Sequence, residues 1–315
     1  MRIGLTGPGG QLGQDVQKVA ALMGDRVTVV PIGRDQLDLT DVDARLTTLD
    51  ALSLDVLINT AAVHHVPSIE QDDTEAWVVN RDAPRALARW AQNAGVQLVH
   101  ISTDYVFGAD PKREAPYLET EAPNPVNRYG VTKAAGEEAV LAASSDHLVV
   151  RTASLFGVAG ARGKGGNFVE TMIRLARDGK ALKVVEDQRM NPSHTLSVAA
   201  HLLHLVRLQA SGVVHVAGGG DASWFDLARA ALDRAVPDAD LAPTTAAAYG
   251  DPTPRPAYSV LDLDRVRGLV GADAVEPWTR HVEQYLQAAG HGSAMSQGHP
   301  AAVVAAVQAW TNETP

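Results

Sequence analysis

The 315-residue chain has no cysteine, so a disulfide framework, a thiol nucleophile and a thiolate metal site are all excluded. It has no basic run to offset a formal net charge of −10, which argues against nucleic acid or an anionic membrane as partner but leaves room for a local anion pocket. No apolar stretch approaches the length of a membrane span. The apolar start is short and interrupted by glycine, and reads as a first strand rather than a secretory leader. These absences fit a cytoplasmic location. Internal repeats are missing too. What remains is a hydrophobic content of 45%, enough for a large core and for a nucleotide domain with a smaller lobe.

Strand-like and helix-like segments alternate, which predicts a doubly wound parallel sheet. Strands are expected at 1–6, 27–32, 56–60, 98–102, 148–152 and 213–217, and helices at 14–23, 75–94, 129–142 and 168–177. The late strand implies that the second lobe interleaves with the first. The expected division is a Rossmann domain at 1–155, with 187–217 returning to it, and a substrate lobe at 156–186 and 218–287. Residues 288–315 read as an appendage with an Ala-rich helix, packed on the surface or on a partner. Pro252, Pro254 and Pro256 exclude regular structure there.

Three motifs carry chemistry. The first strand runs into Gly7-Pro8-Gly9-Gly10-Gln11-Leu12-Gly13 and then a helix, the arrangement in which glycines admit a pyrophosphate to a helix N-terminus. Ser102 and Thr103 end an apolar strand, where open parallel sheets bind ligands. Tyr129 and Lys133 are one helical turn apart, so they share a face. An ammonium beside a phenol favours phenolate, and such a tyrosine can exchange a proton with a carbonyl or hydroxyl oxygen. After the second strand, Gly33-Arg34 stands where an acidic residue would grip a ribose 2′-hydroxyl; a guanidinium suits a 2′-phosphate, so NADP(H) is expected in preference to NAD(H).

With these segments in place, the chain resembles the extended short-chain dehydrogenase/reductase superfamily and, within it, the dTDP-4-dehydrorhamnose reductase family. The matches are Ser102-Thr103-Asp104-Tyr105-Val106-Phe107, Tyr117-Leu118-Glu119-Thr120-Glu121 with Pro123-Asn124-Pro125, and Tyr129-Gly130 with Lys133 and Gly136-Glu137. Gly163-Lys164-Gly165-Gly166-Asn167-Phe168, Asp187-Gln188, Ser223-Trp224-Phe225 and Arg255-Pro256 with Ser259, Leu261 and Asp262 follow in the family's order. The resemblance implies reduction of the 4-keto group of a nucleotide-activated 6-deoxyhexose by a reduced nicotinamide, in dTDP-rhamnose biosynthesis. It makes Tyr129 the proton donor, Lys133 the holder of the nicotinamide ribose, and Thr103 the residue tuning their hydrogen bonds, with Ser102 beside them. Asp104 would lie near the sugar. Gly7, Gly10, Gln11, Leu12 and Gly13 would meet the pyrophosphate, Asp38 and Leu39 the adenine, and Ala61, Ala62 and Val63 the next strand's side of the cofactor. Asn80 would support the helix or a proton-relay water. Lys164, Asn167 and Arg255 are candidates for the substrate's diphosphate.

The chain departs from the family at three places. Ser154 stands where many members carry a tryptophan against the sugar or base. Val66-Pro67-Ser68-Ile69-Glu70 stands where the family usually has Val-Asp-x-x-Glu, so one of the two acidic residues is missing, and His64-His65 is unusual, though no metal site is expected from it. Two other readings therefore stay open: a reductase or epimerase of another nucleotide sugar, and a non-catalytic NADP-binding subunit similar to the methionine adenosyltransferase beta subunit. A homodimer is also left open. Trp224 is expected to anchor the small lobe's core rather than to stack on a base.

Overall fold

The computed structural model describes residues 1–42, 46–160, 166–291 and 299–311. Six parallel strands form the central sheet: β1 (Arg2–Thr6), β2 (Thr28–Ile32), β3 (Val56–Asn59), β4 (Gln97–Thr103), β5 (Leu148–Thr152) and β6 (Gly212–His215), in the order 6-5-4-3-1-2. β3, β4 and β5 read as near-continuous apolar runs because helices cover both faces. Alternate residues divide between two cores. Val56, Ile58 and Val99 face one side, with Val16, Val198 and Leu202. Leu57, Leu98 and Val149 face the other, with Leu87 and Val140. The chain leaves β1 for β2 and then returns past β1 to β3, so a crevice opens at the carboxyl ends where the order reverses.

Helix α1 (Gln11–Ala21) starts earlier than the predicted 14–23, because Gly10 in extended backbone already serves as its N-cap. The long helix predicted at 75–94 is interrupted. Thr74–Trp77 is α-helical, Val78–Asp82 is a π turn, and α2 (Ala83–Ala94) follows. Pro84 has no N–H to return to the carbonyl four residues back, which is that of Asn80. The freed carbonyl faces α3 (Arg128–Ala143), and a Cβ on Gly136 would lie 2.1 Å from it. Glycine is required there for the two helices to approach.

The smaller lobe is built on α4 (Phe168–Arg177), α6 (Trp224–Ala235) and α7 (Trp278–Ala288), whose shared core includes Phe156, Val169, Ile173, Leu227 and Tyr285. Between α4 and α6 the chain returns to the sheet as α5 (Thr195–Arg207) and β6. The last described helix, α8 (Ala301–Thr311), packs along α5 and buries Ala302, Val303, Ala306 and Trp310. The Trp310 indole donates to the Leu203 carbonyl at 3.1 Å, and the Arg207 guanidinium covers its ring. Among the described residues, no helix is long and apolar enough to cross a membrane.

Candidate active site

The crevice is a single cleft of about 1150 Å³ running from the β2 end of the sheet to the smaller lobe. Its floor at β1 is backbone. Gly7 has φ +69°, and a Cβ there would lie 2.7 Å from Thr60 Oγ1. A Cβ on Gly13 would sit 2.3 Å from the Gly7 carbonyl oxygen. These two glycines are demanded by the turn itself. At Gly10 the nearest atom would be 3.4 Å away, so the protein leaves space open above it. Such a cradle lets a pyrophosphate reach backbone N–H groups at the start of α1.

Opposite the cradle stands α3. Asn127 caps it by accepting from the Gly130 N–H at 2.8 Å, while its amide donates to the Pro254 carbonyl at 3.1 Å. A Cβ on Gly130 would lie 2.1 Å from the Tyr105 carbonyl oxygen, so glycine allows α3 to seat against the loop after β4. These contacts aim Tyr129 at the cleft, with its ring edge-on to Tyr105 at 6.1 Å. The Tyr129 hydroxyl hydrogen-bonds to Thr103. Thr103 Oγ1 in turn donates to Asp104 Oδ1 at 3.0 Å and accepts from the Tyr105 N–H at 3.1 Å. Asp104 Oδ2 accepts from Ser259 Oγ at 2.6 Å. Burial raises the Asp104 carboxyl to about 6, against the lowering effect of its bonds from Ser259 and Thr103.

The structure corrects one electrostatic expectation. The Lys133 ammonium does not act on the phenol. It donates to the Ile101 carbonyl at 2.6 Å and meets His100 Nε2 at 3.2 Å. Burial therefore dominates at Tyr129 and pushes the phenol above its ordinary value, with only the Thr103 bond opposing it. Burial also lowers Lys133 to about 8, and with the ammonium it holds His100 neutral. The helical spacing was read correctly, but a lysine side chain is long enough to find partners on β4 instead.

Most of the expected cofactor residues line the cleft together: Gly7, Gly10, Gln11, Leu12, Gly13, Arg34, Asp38, Leu39, Ala61, Ala62, Val63 and Ser102. Arg34 Nε donates to Asp38 Oδ2 at 3.1 Å, and its side chain is 73% exposed. Asn80 supports the helix, one of the two roles expected of it. It is fully buried behind the wall, accepting from the Val63 N–H at 3.0 Å and donating to the Val63 carbonyl and Thr132 Oγ1. It fastens the strand-end loop to α3 and contacts no ligand space. Asp104, Ser154, Asn167 and Arg255 also line the cleft. The Asn167 side chain is occupied, however: it caps α4 at Glu170 N and donates to the Gly157 carbonyl and the Tyr285 hydroxyl. It shapes the wall and has no amide N–H left for a diphosphate. Arg255 is paired with Asp251 at 3.1 Å. Lys164 lies outside the described residues.

Sequence reasoning missed His100, Ser259 and Thr152. The first two make the bonds above, from a strand interior and from a segment 155 residues away. Thr152 Oγ1, Ser102 Oγ and Gln11 Oε1 are buried cleft-wall atoms without a hydrogen-bond partner. Buried polar atoms are rarely left so unless a ligand or water satisfies them. With the open space above Gly10, they fit a dinucleotide.

A wall of unsatisfied polar atoms beside a cleft-facing phenol, on a doubly wound sheet, places the molecule in the class of Rossmann-type dinucleotide-binding oxidoreductases. The comparisons narrow it: a family model described as the RmlD substrate binding domain matches residues 1–290, and the chain belongs to that family. It is 38% identical over 289 residues to a dTDP-4-dehydrorhamnose reductase of Mycolicibacterium smegmatis, covering 91% of this chain and 85% of that one. It is 36% identical over 282 residues to a dTDP-4-keto-6-deoxy-D-glucose reductase of Streptomyces niveus, covering 89% and 94%. The structure of a dTDP-4-dehydrorhamnose reductase from Bacillus anthracis in complex with NADP superposes with a TM-score of 0.81 at 30% identity, covering 91% and 99%.

Proposed function

We propose that this chain reduces the 4-keto group of dTDP-4-dehydrorhamnose with NADPH. The observation that carries the reading is the Tyr129 hydroxyl, held by Thr103 at the cleft wall across from the glycine cradle. Residues 1–155 with 187–217 would hold the dinucleotide, and 156–186 with 218–287 the sugar nucleotide. Gly10, Gln11, Ser102 and Thr152 would take the cofactor, with Arg34 at the 2′-phosphate, and the bound cofactor supplies hydride to C4. Tyr129 donates its proton to the carbonyl oxygen as negative charge develops there. A phenol whose proton is held tightly by burial is the correct form for a donor at neutral pH. Thr103 positions the phenol oxygen, and Asp104 and Ser259 fix Thr103. Lys133 contributes a buried cation close to these groups, held on β4 at the Ile101 carbonyl.

The test is NADPH oxidation by purified protein given dTDP-4-dehydrorhamnose, dTDP-4-keto-6-deoxy-D-glucose and a UDP-linked keto sugar in parallel. Turnover of the first at the highest kcat/KM is expected. Failure to consume NADPH with any of the three overturns the reading.

A further inference from the structure

β2 and β5 stand on opposite sides of the cradle, with β1, β3 and β4 between them. At the spacing of neighbouring strands the two ends of the cleft are about 19 Å apart. Both ends offer a wall for a flat ring, but of different make. The β2 end is aliphatic, with Leu37, Leu39 and Val63. The far end carries Phe168 and Trp224 beside Leu227. The two rings are tilted at 59° with centroids 4.8 Å apart. Each is the first residue of its helix, placed there by a capped N-terminus: Asn167 caps α4, and Ser223 with Asp226 forms a capping box on α6. Both rings are only half-buried, though they pack against the apolar residues of the smaller lobe. Aromatic residues make up 5% of the chain, so a pair left part-exposed on a ligand cleft is a notable use of them. Ser154 lies on the same wall with φ +42° and a side chain too small to fill the space, so nothing aromatic competes from β5.

We propose that Phe168 and Trp224 form the platform on which the nucleobase of the sugar nucleotide stacks, replacing the tryptophan that Ser154 displaces. The proposal rests on the functional reading above and adds the site of the base. The cofactor's adenine belongs at the β2 end, and a substrate that presents its C4 to Tyr129 must extend its nucleotide the other way. Of the other aromatic rings among the described lining residues, Tyr105 and Tyr129 pair with each other beside Thr103, which leaves Phe168 and Trp224, with Phe156, for the nucleotide. Trp224 does pack on the small lobe's core as expected, and the proposal adds a ligand contact to that role.

The experiment is calorimetric titration of the NADPH-loaded protein with dTDP, for wild type, Phe168→Leu, Trp224→Leu and Trp224→Phe. Losing a stacking partner should weaken dTDP binding by about tenfold in each leucine variant, while Trp224→Phe stays near wild type and NADPH affinity is unchanged throughout. An unchanged dTDP affinity in both leucine variants overturns the proposal. If a leucine variant loses NADPH binding as well, fluorescence decides: dTDP should quench the wild type and not Trp224→Phe, and equal quenching in both overturns it. Failure of wild type to bind dTDP at all sinks the functional reading instead. Tight binding that ignores both rings sinks only this platform.

Discussion

The two walls of the cleft are built by different means. The cofactor wall is mostly backbone: one short run from Gly7 to Gly13, in which Gly7 and Gly13 are fixed by how closely Thr60 and Gly7 approach and Gly10 keeps the space above it open. The substrate wall is made of side chains from four separate stretches, around Ser154, Phe168, Trp224 and Arg255. A backbone wall tolerates little change but recognises only a shape common to many dinucleotides. A side-chain wall can vary residue by residue, as the loss of tryptophan at Ser154 illustrates, and that is where related reductases can diverge in substrate.

The largest effect should come from the group serving both walls. Tyr129→Phe should lower kcat by about a hundred- to ten-thousand-fold with NADPH affinity retained, and steady-state assay beside cofactor titration checks both halves. Next come four buried histidines: His194 at the N-cap of α5, His201 on α5, His281 on α7, and His215 on β6. Burial lowers His194 and His201 to about 4, and His215 and His281 to about 3, from an ordinary 6.5. The unfolded chain accepts protons on these groups as pH falls below 6.5 while the folded chain refuses them. Stability should therefore be full above pH 6.5 and drain away as pH falls toward the folded values, by up to about 1.4 kcal/mol per histidine per pH unit. Urea midpoints at pH 7.5 and 5 measure this, and equal midpoints would contradict it. His281 Nδ1 accepts from the His194 N–H at 3.1 Å, so its protonation also removes a bond between the lobes.

Smaller effects separate the walls themselves. Gly13→Ala forces a Cβ to within 2.3 Å of a backbone oxygen, and should weaken NADPH binding by at least about tenfold while leaving the small lobe folded. Arg34→Ala should weaken NADPH by less than about tenfold, because the side chain is largely in solvent, and should leave NADH unaffected. Equal losses for both cofactors would remove Arg34 from 2′-phosphate recognition.

What was legible in the sequence follows the same division. The glycine cradle, the strand ending at Thr103 and the Tyr129–Lys133 turn are each contiguous, so periodicity and spacing exposed them, and the alternation of apolar runs gave the parallel sheet. Helix boundaries slipped where a local detail ruled, at Gly10 and at Pro84. The Lys133 contacts were not legible, because spacing places a Cβ and does not say which carbonyl a four-carbon stem will find. Asn167 looked like a ligand contact by position, yet like Asn80 it spends its amide on holding backbone in place. Residues that matter through a distant partner leave no mark on the local pattern.

Ser259 is such a residue, and its bond to Asp104 sets the order of events. Thr103 emerges from β4 well before the ribosome has supplied the segment that steadies its neighbour. The sheet is complete only once β6 has been made, and the proton-donating cluster still lacks this bond until Ser259 follows. The bond therefore forms only in chains that have been extended through α6 and beyond it into the segment that holds Ser259.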